Sequence, residues 1–272
     1  MKKSKKCKAE EKKIFYYTSE REDFRHIPGD VPVIDGEYEY IHRGFFSGIK
    51  YFVLYRLIAT PLAYLYCKIR FGERIVGRKK LTSYLRWARR HRSGGAFLVG
   101  NHTQTVADAF TPNLVSFPTR NFTVISPENL NMPVIGRALG YLGGLPTPTS
   151  SRGAIGFRSA VEQVIKGGGT VTVYPEGHLW PYYTGLRTFA PGALYYAVRL
   201  NAPVFTFTRV YRRGIFGLRC IIYVDGPFYA DGVLPLKEAE LRLGSCVFDT
   251  MKKRCELSSD TGYIYLPKGK ES

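Results

Sequence analysis

From Leu81 onward the chain alternates strand-like and helix-like stretches, and that alternation restricts the possible fold more than any other feature. Leu81 to Arg92 reads as a basic helix, Ala96 to Gly100 (AFLVG) as a short buried strand, and Ala107 to Leu114 as the start of a second helix. Asn121 to Ser126 (NFTVIS) reads as another strand, followed by helices around Val134 to Leu139 and from Ala154 to Lys166. The strand TVTVY ends at Tyr174, and a helix spans Gly192 to Leu200. Strands PVFTFTRVY and LRCIIYVDG come next, and a last helix covers Pro235 to Leu257. Strands separated by helices pack as an α/β layered domain, with a central mostly parallel or mixed sheet flanked by helices. At 272 residues and 44% hydrophobic, the chain has enough apolar mass for one large core.

The stretch ahead of this domain has a different character. From Tyr51 to Cys67 the run YFVLYRLIATPLAYLYC holds one charge, Arg56, and one proline, Pro61. It is shorter than the roughly 20 apolar residues that a span needs, so the expectation is an interfacial or re-entrant helix, with a helix packed on the soluble domain as the alternative. Tyr40, Tyr51, Tyr55, Tyr64 and Tyr66 suit a headgroup boundary, where ring and hydroxyl are both satisfied. Two basic blocks bracket the segment: Lys2, Lys3, Lys5, Lys6, Lys8, Lys12 and Lys13 before it, and ten Lys and Arg between Lys68 and Arg92 after it. The net charge of +18 calls for an anionic partner, and this placement points to the cytoplasmic face of a cell membrane. The expected organisation is a basic tail and irregular segment with one short strand (1–45), a membrane-associating helix (46–72), a catalytic domain (73–258) and a polar tail (259–272).

Two polar clusters follow buried strands directly, where α/β sheets bind ligands at their carboxyl ends. In GNHTQTVADAF the strand stops at Gly100, and Asn101, His102 and Asp108 follow. A histidine can take a hydroxyl proton near neutral pH, and a carboxylate on its far ring nitrogen fixes the tautomer and stabilises the imidazolium. Six residues correspond to roughly 600° on a helix, so the two side chains meet only if His102 sits in the turn and Asp108 in the first helical turn. The alternative is that His102 only bonds the turn and Asp108 only caps the helix. In TVTVYPEGHLWP the strand breaks at Pro175, and Glu176 and Gly177 are presented at the same sheet edge.

Together these clusters resemble the boxes of the phospholipid and glycerol acyltransferase family, the 1-acylglycerol-3-phosphate acyltransferases in particular. The resemblance covers about residues 90 to 210: Asn101, His102 and Asp108; then Tyr174, Pro175, Glu176 and Gly177; then Phe189, Gly192, Ala193, Ala197, Pro203 and Val204. It implies the glycerolipid acyltransferase fold and a direct transfer. A fatty acyl group would pass from acyl coenzyme A or acyl carrier protein to the hydroxyl of a lysophospholipid or glycerol phosphate, with His102 and Asp108 as the base and no further cofactor. Asn101, Glu176, Gly177, Arg152 and Arg187 are the expected substrate contacts, the two arginines standing in for those that the family places elsewhere. Three departures are visible. Five residues, not four, separate His102 from Asp108; His178-Leu179 replaces Thr-Arg after Pro-Glu-Gly; and in GGLPTPTSSRG the arginine, Arg152, falls late.

Rival classes lack their signatures. The charge surplus and 14% aromatics suit a nucleic-acid binder, yet no RNP box, helix-turn-helix pattern or zinc spacing occurs, and no nucleic acid is expected as partner. A thioesterase or lipid hydrolase would use the same His-Asp pair with water as acceptor. His26, His42, His91, His102 and His178 show no H-x-x-x-H spacing, so no metal is expected; the five cysteines form no C-x-x-C pair, and no G-x-S-x-G elbow is present.

Overall fold

A computed structural model describes residues 12–24, 28–42, 44–133, 135–214 and 217–269. Most of the lysine-rich start, with Cys7, His26 and Val134, lies outside the described residues. Strand β1 (Lys13–Tyr17) pairs in parallel with β9 (Tyr263–Pro267) as a small separate sheet. The main sheet holds β2 (Arg74–Val76), β3 (Ala96–Gly100), β4 (Asn121–Ile125), β5 (Gly144–Pro146), β6 (Thr170–Val173), β7 (Val204–Gly214) and β8 (Gly217–Phe228). Its order is β2-β8-β7-β3-β6-β4-β5, and every pairing is parallel except the β7–β8 hairpin. This is the mixed, mostly parallel sheet that the alternation of segments predicts.

The central strand β3 shows why these residues make this layer. Successive side chains of a strand point to opposite faces. Phe97 and Val99 enter the cluster built on Phe157, Val161 and Val164 from α4 (Ser151–Lys166) and on Leu243, Val247 and Met251 from α6 (Leu236–Cys255). Ala96 and Leu98 enter the opposite cluster, with Leu81 and Leu85 of α2 (Arg78–His91) and Val115 of α3 (Ala107–Ser116). A short helix, α5 (Tyr195–Arg199), adds Ala197 to the first face. Each fully buried Leu or Phe contributes about 1.5–3 kcal/mol, so the core is stabilised from both sides of one strand. Gly100 closes β3 because the ring of Phe207, its register partner on β7, occupies the space a Cβ would need.

The apolar segment is longer than the run Tyr51 to Cys67 suggests. Helix α1 spans Phe45–Phe71, 27 residues, with a π-helical stretch at Phe52–Ala59. Pro61 has no N–H and collides with the carbonyl four residues back in a regular helix; the wider π turns relieve that conflict. The Thr60 N–H accordingly bonds the Tyr55 carbonyl, five residues back, and the Thr60 hydroxyl donates to the same oxygen at 2.6 Å. One stripe, Tyr55, Ala63, Cys67 and Phe71, is buried against the domain. Phe45, Phe46, Phe52, Leu57, Leu62, Leu65 and Ile69 are exposed.

Four short strands, β1, β2, β5 and β9, escape the sequence reading. β2 and β5 have three residues each, too few to show a period. β1 falls in the basic tail, whereas the described residues of 28–42, where a short strand is expected, hold none. The C-terminal stretch 259–272 is more than a polar tail, since β9 lies in it and buries aromatic surface: Tyr265 stacks on Trp180 at 4.7 Å.

Candidate active site

The ends of adjacent strands β3 and β6 bring the two polar clusters together. His102 Nδ1 lies 2.9 Å from Asp108 Oδ2, and the same oxygen accepts the backbone N–H groups of Thr103 and Gln104, each at 2.8 Å. A carboxylate only accepts, so Nδ1 carries the proton and Nε2 keeps its lone pair. The loop therefore wraps the carboxylate, and its extra residue is absorbed by the turn at Thr105 and Val106 before α3 begins. The His102 side chain is 26% exposed and that of Asp108 3%, so the base faces outward from a buried anchor.

Asp108 is also held from behind. Pro112, four residues along α3, lacks the N–H that would bond the Asp108 carbonyl. The Tyr174 hydroxyl fills the vacancy, donating to that carbonyl at 2.5 Å, while its ring stacks on His102 at 4.6 Å. Burial, with Asp108 adding to it, keeps this phenol well above its ordinary pKa, hence protonated. The sequence carried a signal for this contact in the proline four residues after the aspartate, although the period-based reading passes over it.

Glu176 fixes the same loop. Its Oε2 accepts the His102 backbone N–H at 2.8 Å and its Oε1 the Arg187 backbone N–H at 2.8 Å. Burial raises its pKa, against the lowering influence of Arg187 and of these two N–H groups. The Glu176 and Arg187 side chains are 0% and 2% exposed and pair at 3.4 Å. Arg187 further donates to the carbonyls of Glu20 and His178, and its guanidinium lies over Trp180 at 4.8 Å.

Several of the expected substrate contacts have partners within the protein. Glu176 and Arg187 face inward and order the loop. Asn101, 1% exposed, pairs with the Arg209 backbone across β3 and β7, accepting at 2.7 Å and donating at 3.0 Å. The Gly177 N–H closes a turn on the Tyr174 carbonyl at 3.0 Å, with Gly177 at φ +77. Arg152 is exposed on the first turn of α4. Among the described residues no group of three His, Cys, Asp or Glu converges as a metal site would require.

The sequence reading missed Arg209. Its side chain, 2% exposed, donates from Nε to Asp108 Oδ1 at 3.3 Å, from Nη1 to Glu73 Oε2 at 2.8 Å and from Nη2 to Thr111 at 2.5 Å. Burial opposes its charge, but Glu73 and Asp108 together outweigh burial and hold its pKa well above the usual arginine value.

A partly exposed histidine on a buried carboxylate at a strand end, with an open ring nitrogen and a second acidic loop beside it, is an arrangement suited to deprotonating an alcohol. Residues 79–209, which contain His102, Asp108, Tyr174, Glu176, Arg187 and Arg209, match the model of the Acyltransferase family. The match spans just under half of the chain and gives it an acyltransferase domain. Among solved structures it is similar to the 1-acyl-sn-glycerophosphate (LPA) acyltransferase PlsC from Thermotoga maritima, at 16% identity and a TM-score of 0.49, over 76% of this chain and 87% of that one. No curated protein matches the chain in sequence.

Proposed function

We propose that the protein transfers a fatty acyl group from a thioester donor to the hydroxyl of a glycerolipid, a lysophospholipid or glycerol phosphate, at the membrane surface. The observation that carries this reading is the 2.9 Å contact between His102 and Asp108, which leaves Nε2 free at the open carboxyl edge of the sheet. Nε2 takes the hydroxyl proton as the oxygen attacks the thioester carbon. The new C–O bond forms, the C–S bond breaks, and the proton passes from the imidazolium to the departing thiolate. Asp108 holds Nδ1–H and stabilises the imidazolium between those steps. Acyl coenzyme A and acyl carrier protein both present the required thioester.

Membrane association is supported by α1. Most of its 27 residues are exposed, with Phe45, Phe46, Phe52, Leu57, Leu62, Leu65 and Ile69 facing outward. Docking from Tyr55 to Phe71, together with the bond from Arg56 to the Pro118 carbonyl at 2.8 Å, ties the helix along the domain. A helix held this way favours lying in the interface over crossing the bilayer, and we place it on the cytoplasmic leaflet, where the basic residues meet anionic headgroups.

The test is product identity. Purified protein is given acyl coenzyme A or acyl carrier protein donors with a panel of lysolipids and glycerol phosphate, in anionic vesicles. An acylated glycerolipid is expected; free fatty acid alone would assign a thioesterase instead.

A further inference from the structure

The groups around Asp108 form a charge chain that reaches the end of the apolar helix. Helix α1 stops at Gly72, where the Gly72 N–H bonds the Lys68 carbonyl at 3.0 Å and the Glu73 N–H bonds the Cys67 carbonyl at 3.2 Å. That cap turns the Glu73 side chain inward, 3% exposed, onto Arg209. Arg209 in turn holds the oxygen of Asp108 that His102 does not use. The remaining titratable neighbours stay neutral. Burial, reinforced by Glu73, pushes the Cys67 thiol of α1 up to about 12, and burial also raises Cys220 on β8, Tyr174 on β6 and Tyr211 on β7. Glu176 is matched by Arg187 on the far side of the loop. Two carboxylates and one guanidinium therefore leave a single net negative charge behind the histidine.

We infer that Glu73 and Arg209 are positioning residues for the His102–Asp108 base: Arg209 fixes the carboxylate, and Glu73 keeps the network negative so that the imidazolium formed during transfer is stabilised. Arg209 alone would neutralise Asp108 and weaken the base. The fork geometry of arginine satisfies Asp108, Glu73 and Thr111 at once, which a lysine ammonium does not reproduce. Because Glu73 caps α1, the seating of the lipid-facing helix and the basicity of the site share one residue.

This inference rests on the proposed role of His102 as base, so the experiment separates the two. The pH at which isotope-labelled His102 ring signals titrate is measured by NMR, alongside the pH profile of kcat/KM, for the wild type, Glu73→Gln, Glu73→Asp and Arg209→Gln. A unit charge about 10 Å away at an effective dielectric of about 20 corresponds to about one pH unit. Glu73→Gln should move the His102 midpoint and the acid limb down by about that much and lower kcat several-fold with little change in KM. Glu73→Asp should restore both. Arg209→Gln should move the midpoint upward, which keeps the test available if Glu73→Gln does not fold. A Glu73→Gln protein that is less stable but titrates like the wild type would overturn the inference, as would an Arg209→Gln midpoint that stays put. Undiminished turnover in His102→Ala would instead remove the base itself, a result that the NMR midpoints do not depend on.

Discussion

Around His102 the chain spends its polar groups on itself, whereas along α1 it leaves apolar groups facing out. Asp108 gathers bonds from His102, Thr103, Gln104 and Arg209, and its carbonyl takes one more from Tyr174. On α1 the stripe from Tyr55 to Phe71 is buried, while Phe45, Phe46, Leu57, Leu62 and Ile69 are exposed among the described residues. Buried polar groups cost several kcal/mol when a partner is lost, and exposed apolar ones cost the fold almost nothing. The difference teaches that substitutions of similar size should act on folding in one region and on location in the other.

The largest expected effect on stability is at Glu176. Glu176→Gln leaves Arg187 as an unmatched buried charge and disturbs the His102 loop, so urea unfolding should show a loss of about 3 kcal/mol. An unchanged midpoint would break the comparison. Next is Asp225, which joins β8 to α2 and α6 through Lys80 at 2.9 Å and Arg254 at 2.8 and 2.9 Å. Hydrogen bonds from Arg254, against burial and with help from Lys80, lower its pKa below the usual aspartate value. A lowered folded-state pKa stabilises above the unfolded value, near 3.9, and that contribution is lost as pH falls through the folded value. Asp225→Asn should therefore cost about 1–2 kcal/mol at neutral pH, and the gap from the wild type should close below about pH 4.

Much of this division was legible in the sequence. AFLVG and TVTVY are short apolar runs bounded by turn residues, so β3 and β6 stand out, and the boxes at their ends supply His102, Asp108 and Glu176. The Glu73–Arg209 link was not legible because the two residues are 136 positions apart and meet only through sheet order. The apolar run Tyr51 to Cys67 covers only part of helix α1 because Gly48 and Lys50 interrupt the pattern, and the π turns shift the period by which a buried stripe is recognised. Arg187 in TGLRTF was expected to contact substrate, and its burial was not legible because the Glu20 to Phe24 segment, distant in sequence, folds back over Trp180 and takes one of its bonds.

Smaller effects sharpen the contrast. Tyr174→Phe keeps the ring on His102 but leaves the Asp108 carbonyl without its donor, so a loss of about 1 kcal/mol is expected in thermal unfolding. Replacing Leu57, Leu62 and Ile69 together with Ser should change stability by less than about 0.5 kcal/mol per site. The same triple variant should reduce co-sedimentation with anionic vesicles by about 10-fold or more. Vesicle binding that persists undiminished would mean that this face does not meet lipid.

The central claim, that His102 is the base of an acyl transfer, is tested most directly by turnover in His102→Ala. With thiol release and acylated product followed in parallel, the account predicts a loss of about 10²-fold or more in kcat, with the circular dichroism spectrum and melting temperature retained. Product formed by the folded variant at the wild-type rate would contradict it.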